Sequence, residues 1–155
     1  MRLLQSFVQP ITLIATALSL VVYFAAVWRG GGPERAGAAI LFGAFLADEI
    51  YHMVAGPHQF LIFDPVELAI DLFSLVAFSA LAVRANRFWP MVLAALQLMA
   101  VVGHFAASSE LGMQRAYWAM TEPPVVLGVI TLFFGLVAHL LRVRRLGTYP
   151  DWRLM

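Results

Sequence analysis

The sequence predicts an all-α fold, a polytopic transmembrane helical bundle of five spans that makes residues 1–155 a single integral membrane domain. Three observations carry that prediction. Hydrophobic residues make up 62% of the chain and charged residues 12%, whereas a soluble domain is about half apolar and a quarter charged. With mean hydropathy at +0.84, the apolar excess is too large for one small core, because a domain of this size leaves about a third of its chain surface exposed. Second, apolar stretches of about 20 residues, the length that crosses a bilayer core of roughly 30 Å, recur between Gly, Pro and Arg breaks. Third, the few charges sort by side.

The first span covers residues 7–28, from Phe7 to Trp28, without a charge. Arg2 and the later Ala15-Thr16-Ala17 suggest a signal peptide, but the apolar run continues past them, so an uncleaved anchor is expected. Arg29-Gly30-Gly31-Gly32-Pro33-Glu34-Arg35 reads as an interfacial loop. The second span, 36–54, carries Asp48, Glu49 and His52 and ends at Gly56-Pro57-His58. Its uncharged part, Ala36 to Ala47, is only 12 residues. Four spans plus a re-entrant segment is therefore the alternative.

Asp64-Pro65-Val66-Glu67 opens the third span, 65–83, as a capping box with Asp64 at N-cap, Pro65 at N1 and Glu67 at N3. Asp71 interrupts that span. After the turn Arg84-Ala85-Asn86-Arg87, Trp89-Pro90 starts the fourth span, 89–107, and Ser108 to Arg115 form a polar loop. Thr121-Glu122-Pro123-Pro124 begins the fifth, 121–141, with Glu122 as a helix-start charge favoured by the macrodipole. In the tail, 142–155, Arg142, Arg144 and Arg145 would sit among anionic lipid headgroups, each worth about 1 kcal/mol there.

Arginine placement sets the orientation, since short Arg-rich loops stay cytoplasmic. All ten basic residues are Arg; five spans divide them 8:2 and four spans 7:3. The length of 36–54 favours five, with the N-terminus out and the C-terminus in. Seven of nine acids and three of four histidines then fall on the outer side. Arg-only, Ala-rich usage suggests a GC-rich bacterium, hence the inner (plasma) membrane. Trp28, Trp89, Tyr149 and Trp152 would flank one boundary, and Tyr117 and Trp118 the other, as aromatic belts do. Ala39, Gly43 and Ala47 form a small-residue stripe that admits close helix approach, and Gly128 and Gly135 repeat the device.

Chemistry is expected at the acid–histidine side. Asp48 and His52 share a helix face at i, i+4, and Glu49 lies three residues before His52. Such spacings let one helix offer two ligands to a divalent metal, with Zn, Fe, Mn and Cu all compatible with carboxylate or imidazole. Asp71 and His104 lie at compatible depth, giving a metal set of Asp48, Glu49, His52, Asp71 and His104. His58, Glu67, Gln97 and Glu122 are secondary candidates. Ionisable groups within spans are costly and are functional candidates by default. A proton site fits the same residues, and Gln97, seven before His104, extends the polar line. Interhelical His–Asp pairing that merely fixes helix order is the structural alternative. Haem held by His52 and His104 needs two facing imidazoles and is disfavoured by the carboxylates.

Other classes are excluded or less supported. Cysteine is absent, so thiolate sites and disulfides are too. No basic run suggests a nucleic-acid surface, and no G-x-S-x-G, H-E-x-x-H or phosphate-loop pattern occurs. In size alone the chain is similar to the tryptophan-rich sensory proteins; its four Trp lie near predicted boundaries, so no function is carried over. Besides the lipid bilayer, the expected partners are further copies of the chain or a larger membrane complex. As alternatives to the metal or proton site, the chain could be a non-catalytic accessory or assembly subunit, or hold a lipophilic ligand between spans lined by Phe and Met.

Overall fold

Five helices form where the five apolar stretches lie. The computed structural model describes residues 2–56, 64–106, 114–148 and 150–153. The helices are α1 (Arg2–Arg29), α2 (Gly32–Ala55), α3 (Pro65–Arg84), α4 (Trp89–Ala106) and α5 (Gln114–Leu146). Among the described residues there is no strand, only an isolated antiparallel bridge between Ala85 and Trp152. Three stretches are long and apolar enough to cross a membrane: Gly32–Ala55, Pro65–Arg84 and Pro123–Leu146. Leu13–Arg29 and Trp89–Phe105 are apolar but shorter.

Helix ends depart from the sequence reading in instructive ways. The expected interfacial loop contracts to Gly30–Gly31, and Pro33 and Glu34 already belong to the first turn of α2. Proline at the start of a helix lacks only an N–H that would have had no intrahelical partner, so it initiates rather than breaks. α2 then runs unbroken for 24 residues and closes at Gly56, whose φ of 96° favours glycine.

The fifth helix is longer than expected at both ends. It starts at Gln114, so Gln114 and Arg115 are helical rather than loop, and Pro123 and Pro124 lie inside it. Glu122 is therefore not a helix-start residue. Prolines within apolar helices are tolerated where neighbouring groups satisfy the freed carbonyls. Arg142, Arg144 and Arg145 occupy the last turns of α5 rather than a tail.

The chain alternates between two ends. At the arginine end meet the close of α1, the start of α2, the α3–α4 turn, the close of α5 and residues 147–153. At the acid end meet the close of α2, the start of α3, the close of α4 and α5 around Thr121. The most extensive packing is of α4 against α5 and α3. The core lies mostly toward the arginine end, from Tyr23, Ala26, Ala38, Phe78, Leu81, Trp89, Leu93, Leu132 and Leu136.

Trp89, expected in an aromatic belt, is instead a buried wedge. A Cβ on Gly37 would stand 2.5 Å from its ring and one on Gly135 2.8 Å away, so both glycines are needed for its seat. Around the outside, Phe24, Phe73, Val76, Val83, Phe105 and Phe134 are exposed. Such a surface suits lipid and not water.

Candidate functional site at the acid end

Helical spacing delivers the acid-end residues to one another. A cavity of about 250 Å³ is bordered by Asp48 and Glu49 of α2, Glu67 and Asp71 of α3, Gln97 and His104 of α4, and Thr121 of α5. Its apolar walls include Tyr23, Phe45, Phe78, Leu93 and Leu96. Four of the five sequence-derived ligands thus border one space, together with the secondary candidates Glu67 and Gln97.

Two hydrogen-bonded groups lie at this end. In the first, His104, only 2% exposed, places Nε2 2.9 Å from Asp71 Oδ2. Gln97 Nε2–H donates to Asp71 Oδ1 at 2.6 Å. Gln97 and His104 are two turns apart on α4, so both reach the same carboxylate. Asp71 is held between an imidazole and an amide.

The second group centres on His52. Its Nε2 lies 3.4 Å from Asp48 Oδ1 and 3.2 Å from Glu67 Oε1, and Nδ1 is 2.9 Å from the Gly56 carbonyl. A carbonyl only accepts, so Nδ1 carries a proton; a proton on Nε2 as well would serve the two carboxylates. Both ring nitrogens face acceptors, an arrangement that fits the imidazolium. Glu49 is exposed beside Asp48, so the adjacent acids divide between the histidine and the outside.

Asp64 caps α3 as expected, its Oδ1 accepting from the Val66 and Glu67 amides at 2.8 and 3.3 Å. Tyr51 donates to its other oxygen at 2.6 Å. Partial burial opposes ionisation, but the Tyr51 hydroxyl and the two amides outweigh it and hold Asp64 below the usual carboxylate value. Glu67, read from the sequence as half of the capping box, also reaches His52. His58 lies outside the described residues, as does the side chain of Glu122.

A second polar cluster was not foreseen. At the arginine end Glu34 is 0% exposed. Its Oε1 accepts from Trp89 Nε1–H at 3.2 Å and lies 3.4 Å from Arg87 Nε. Arg87 Nη2 donates to Asp151 Oδ1 at 3.0 Å and stands 3.4 Å from His139 Nδ1. His139 is buried here. Asp151 Oδ2 accepts from the Gly32 amide at 2.8 Å, placing a carboxylate at the α2 N-terminus, where the helix dipole favours it.

One sequence signal pointed this way: Glu34 and Asp151 are the two acids that do not sort to the acid side. Among the described residues, the group of three acid or histidine side chains whose ligand atoms all lie within 4.8 Å of one another is Glu34, His139 and Asp151. The five-residue set drawn from helical spacing does not form such a group at the acid end. There His104 Nε2 faces Asp71, and His52 Nε2 faces Asp48 and Glu67.

Comparison with known proteins finds no matching family model, no similar curated protein and no similar solved structure. Fold and geometry define an all-helical protein with at least three helices able to span a membrane by length and composition.

Proposed function

We propose that the chain is a five-span protein of a bacterial inner membrane, N-terminus out and C-terminus in, whose acid-end cavity binds protons on its carboxylate–histidine groups. The observation that carries this reading is the Asp71–His104 contact at 2.9 Å on the wall of a cavity bordered by three further carboxylates. A carboxylate and an imidazole at hydrogen-bond distance share a proton readily, and such groups inside spans are costly unless they serve a purpose. Of the two ligands considered for this end, the geometry favours protons over a divalent metal, because each imidazole is already matched to carboxylates.

Apolar walls and a carboxylate rim give the cavity a sided character. The rim would face the outer surface, where protons arrive, and the tightly packed arginine half would close the cytoplasmic side. Infrared difference spectra of the protein in lipid nanodiscs, recorded across a pH jump, test the assignment. A carboxyl band lost in Asp71→Asn and altered in His104→Ala is expected. A full band in Asp71→Asn would remove Asp71 from the reading.

A second reading, an accessory or assembly subunit, has its own observation. The stripe Ala39, Gly43 and Ala47 borders an apolar groove with Val66, Ile70 and Phe73, and a Cβ on Gly43 would meet nothing within 4 Å. The close approach that the stripe permits is not used at Gly43 among the described residues. Native mass spectrometry separates the readings: a stoichiometric protein partner supports the accessory role, and a lone chain opposes it.

A further inference from the structure

We propose that Glu34, His139 and Asp151 form a divalent-cation site at the arginine end, in which the ion and the Arg87 guanidinium are alternative counter-charges for the same two carboxylates. This site is separate from the acid-end cavity and does not depend on how that cavity functions.

The first argument is geometric. The three side chains come from the start of α2, the last third of α5 and the segment after it, and their ligand atoms lie within 4.8 Å of one another. His139 Nδ1 and Glu34 Oε2 are 3.7 Å apart. Two ligands each about 2.1 Å from one ion stand roughly 3 to 4 Å from each other, so this pair needs little adjustment.

The second argument is the state of the glutamate. Glu34 Oε1 is occupied by Trp89 and Arg87, whereas Oε2 is buried and accepts no hydrogen bond among the described residues. A buried carboxylate oxygen left in that condition has given up its hydrogen bonds to water without replacement. It points toward His139, where an ion would satisfy it. Trp89 meanwhile fixes the orientation of the carboxylate from behind, as outer groups do in metal sites.

Charge completes the case. Glu34 and Asp151 bring two carboxylates, and Arg87 faces them with a single guanidinium. A divalent ion balances both carboxylates alone once the guanidinium turns away. Arg87 already bonds through Nη1 to the carbonyls of Asn86 and Pro150, at 3.0 and 3.1 Å. These hold its other edge outside the carboxylate pair, and Asp151, partly exposed, offers the ion a way in.

Two carboxylate oxygens, one imidazole nitrogen and no sulfur suit Zn, Fe or Mn. Binding would also fasten the segment carrying Asp151, already bridged by the Asn86 amide to Asp151 O and the Arg153 amide to Arg84 O.

Equilibrium dialysis of the detergent-purified full chain against Zn²⁺, with metal counted per chain, is the test. One equivalent is expected, lost in Glu34→Gln and in His139→Ala. Arg87→Gln is expected to bind about ten-fold more tightly, a gain that a plain ion-pair lock does not produce. Asp151→Asn, outside the helices, covers the case in which a bundle variant fails to fold and should weaken binding at least ten-fold. Unchanged binding in Glu34→Gln and Asp151→Asn would overturn the site. So would loss of the equivalent in Asp71→Asn/His104→Ala, which leave the arginine end untouched.

Discussion

The two ends of the bundle use the same kinds of side chain to opposite effect. At the acid end, Asp71, His104, Asp48 and Glu67 border a cavity of about 250 Å³. At the arginine end, Glu34, Arg87 and His139 are enclosed by the packed core and covered by the segment around Asp151. The acid end keeps room beside its ionisable groups, and the arginine end fills it with Trp89, Leu132 and Leu136. What separates the ends is the space beside the charges and the number of partners already held.

Breaking the arginine end should produce the largest effect. Arg87→Ala removes the cation from Glu34 and Asp151 and leaves an uncompensated buried carboxylate, a change that costs about 3–5 kcal/mol. Thermal unfolding in detergent should show it. A Glu34→Gln/Arg87→Met double variant should recover much of the loss, because it removes both charges together. A double variant as unstable as Arg87→Ala would mean that packing, rather than charge, governs this end.

The contrast in packing gives the next test. Leu132, fully buried in the core, should cost about 2–5 kcal/mol when cut to Ala. Leu96→Ala, on the cavity wall, should cost clearly less, because one side of that residue already borders open space. Equal losses in the same unfolding assay would contradict the division of the bundle into a filled half and an open half.

A smaller effect is expected at the α3 cap. Asp64→Ala should cost about 1 kcal/mol. Because Asp64 is held below its ordinary value of 3.8, its ionised cap contributes fully above that pH and is lost as pH falls through the lower folded value. The difference between the parent chain and Asp64→Ala should therefore be constant near neutrality and shrink on strong acidification. Unfolding followed by circular dichroism across pH measures it.

Much of the fold could be read directly, because an apolar stretch of membrane-spanning length has few other uses. The five stretches became five helices, and the capping signal at Asp64 was met by its amide contacts. Stops were harder to read. Pro33 starts α2 rather than ending a loop, and Pro123 and Pro124 lie within α5, because a proline's meaning depends on which carbonyls its neighbours satisfy. At the acid end, i, i+4 and i, i+7 spacings foretold the Asp48–His52 and Gln97–His104 alignments. They could not foretell that Asp71 and Glu67 would each take a different histidine. The arginine-end cluster was less legible still. Glu34, Arg87, His139 and Asp151 are far apart in sequence and look individually like boundary charges, so only the tertiary fold brings them together.

The most direct test of the central claim uses the absence of cysteine from the chain, which leaves any introduced thiol as the sole target. Leu96→Cys places a thiol on the cavity wall and Leu132→Cys places one in the packed half. In right-side-out vesicles, a small membrane-impermeant thiol reagent should label Leu96→Cys from outside and leave Leu132→Cys untouched. Labelling of Leu132→Cys, or labelling of Leu96→Cys only from the cytoplasmic side, would contradict an outward-opening cavity above a closed half.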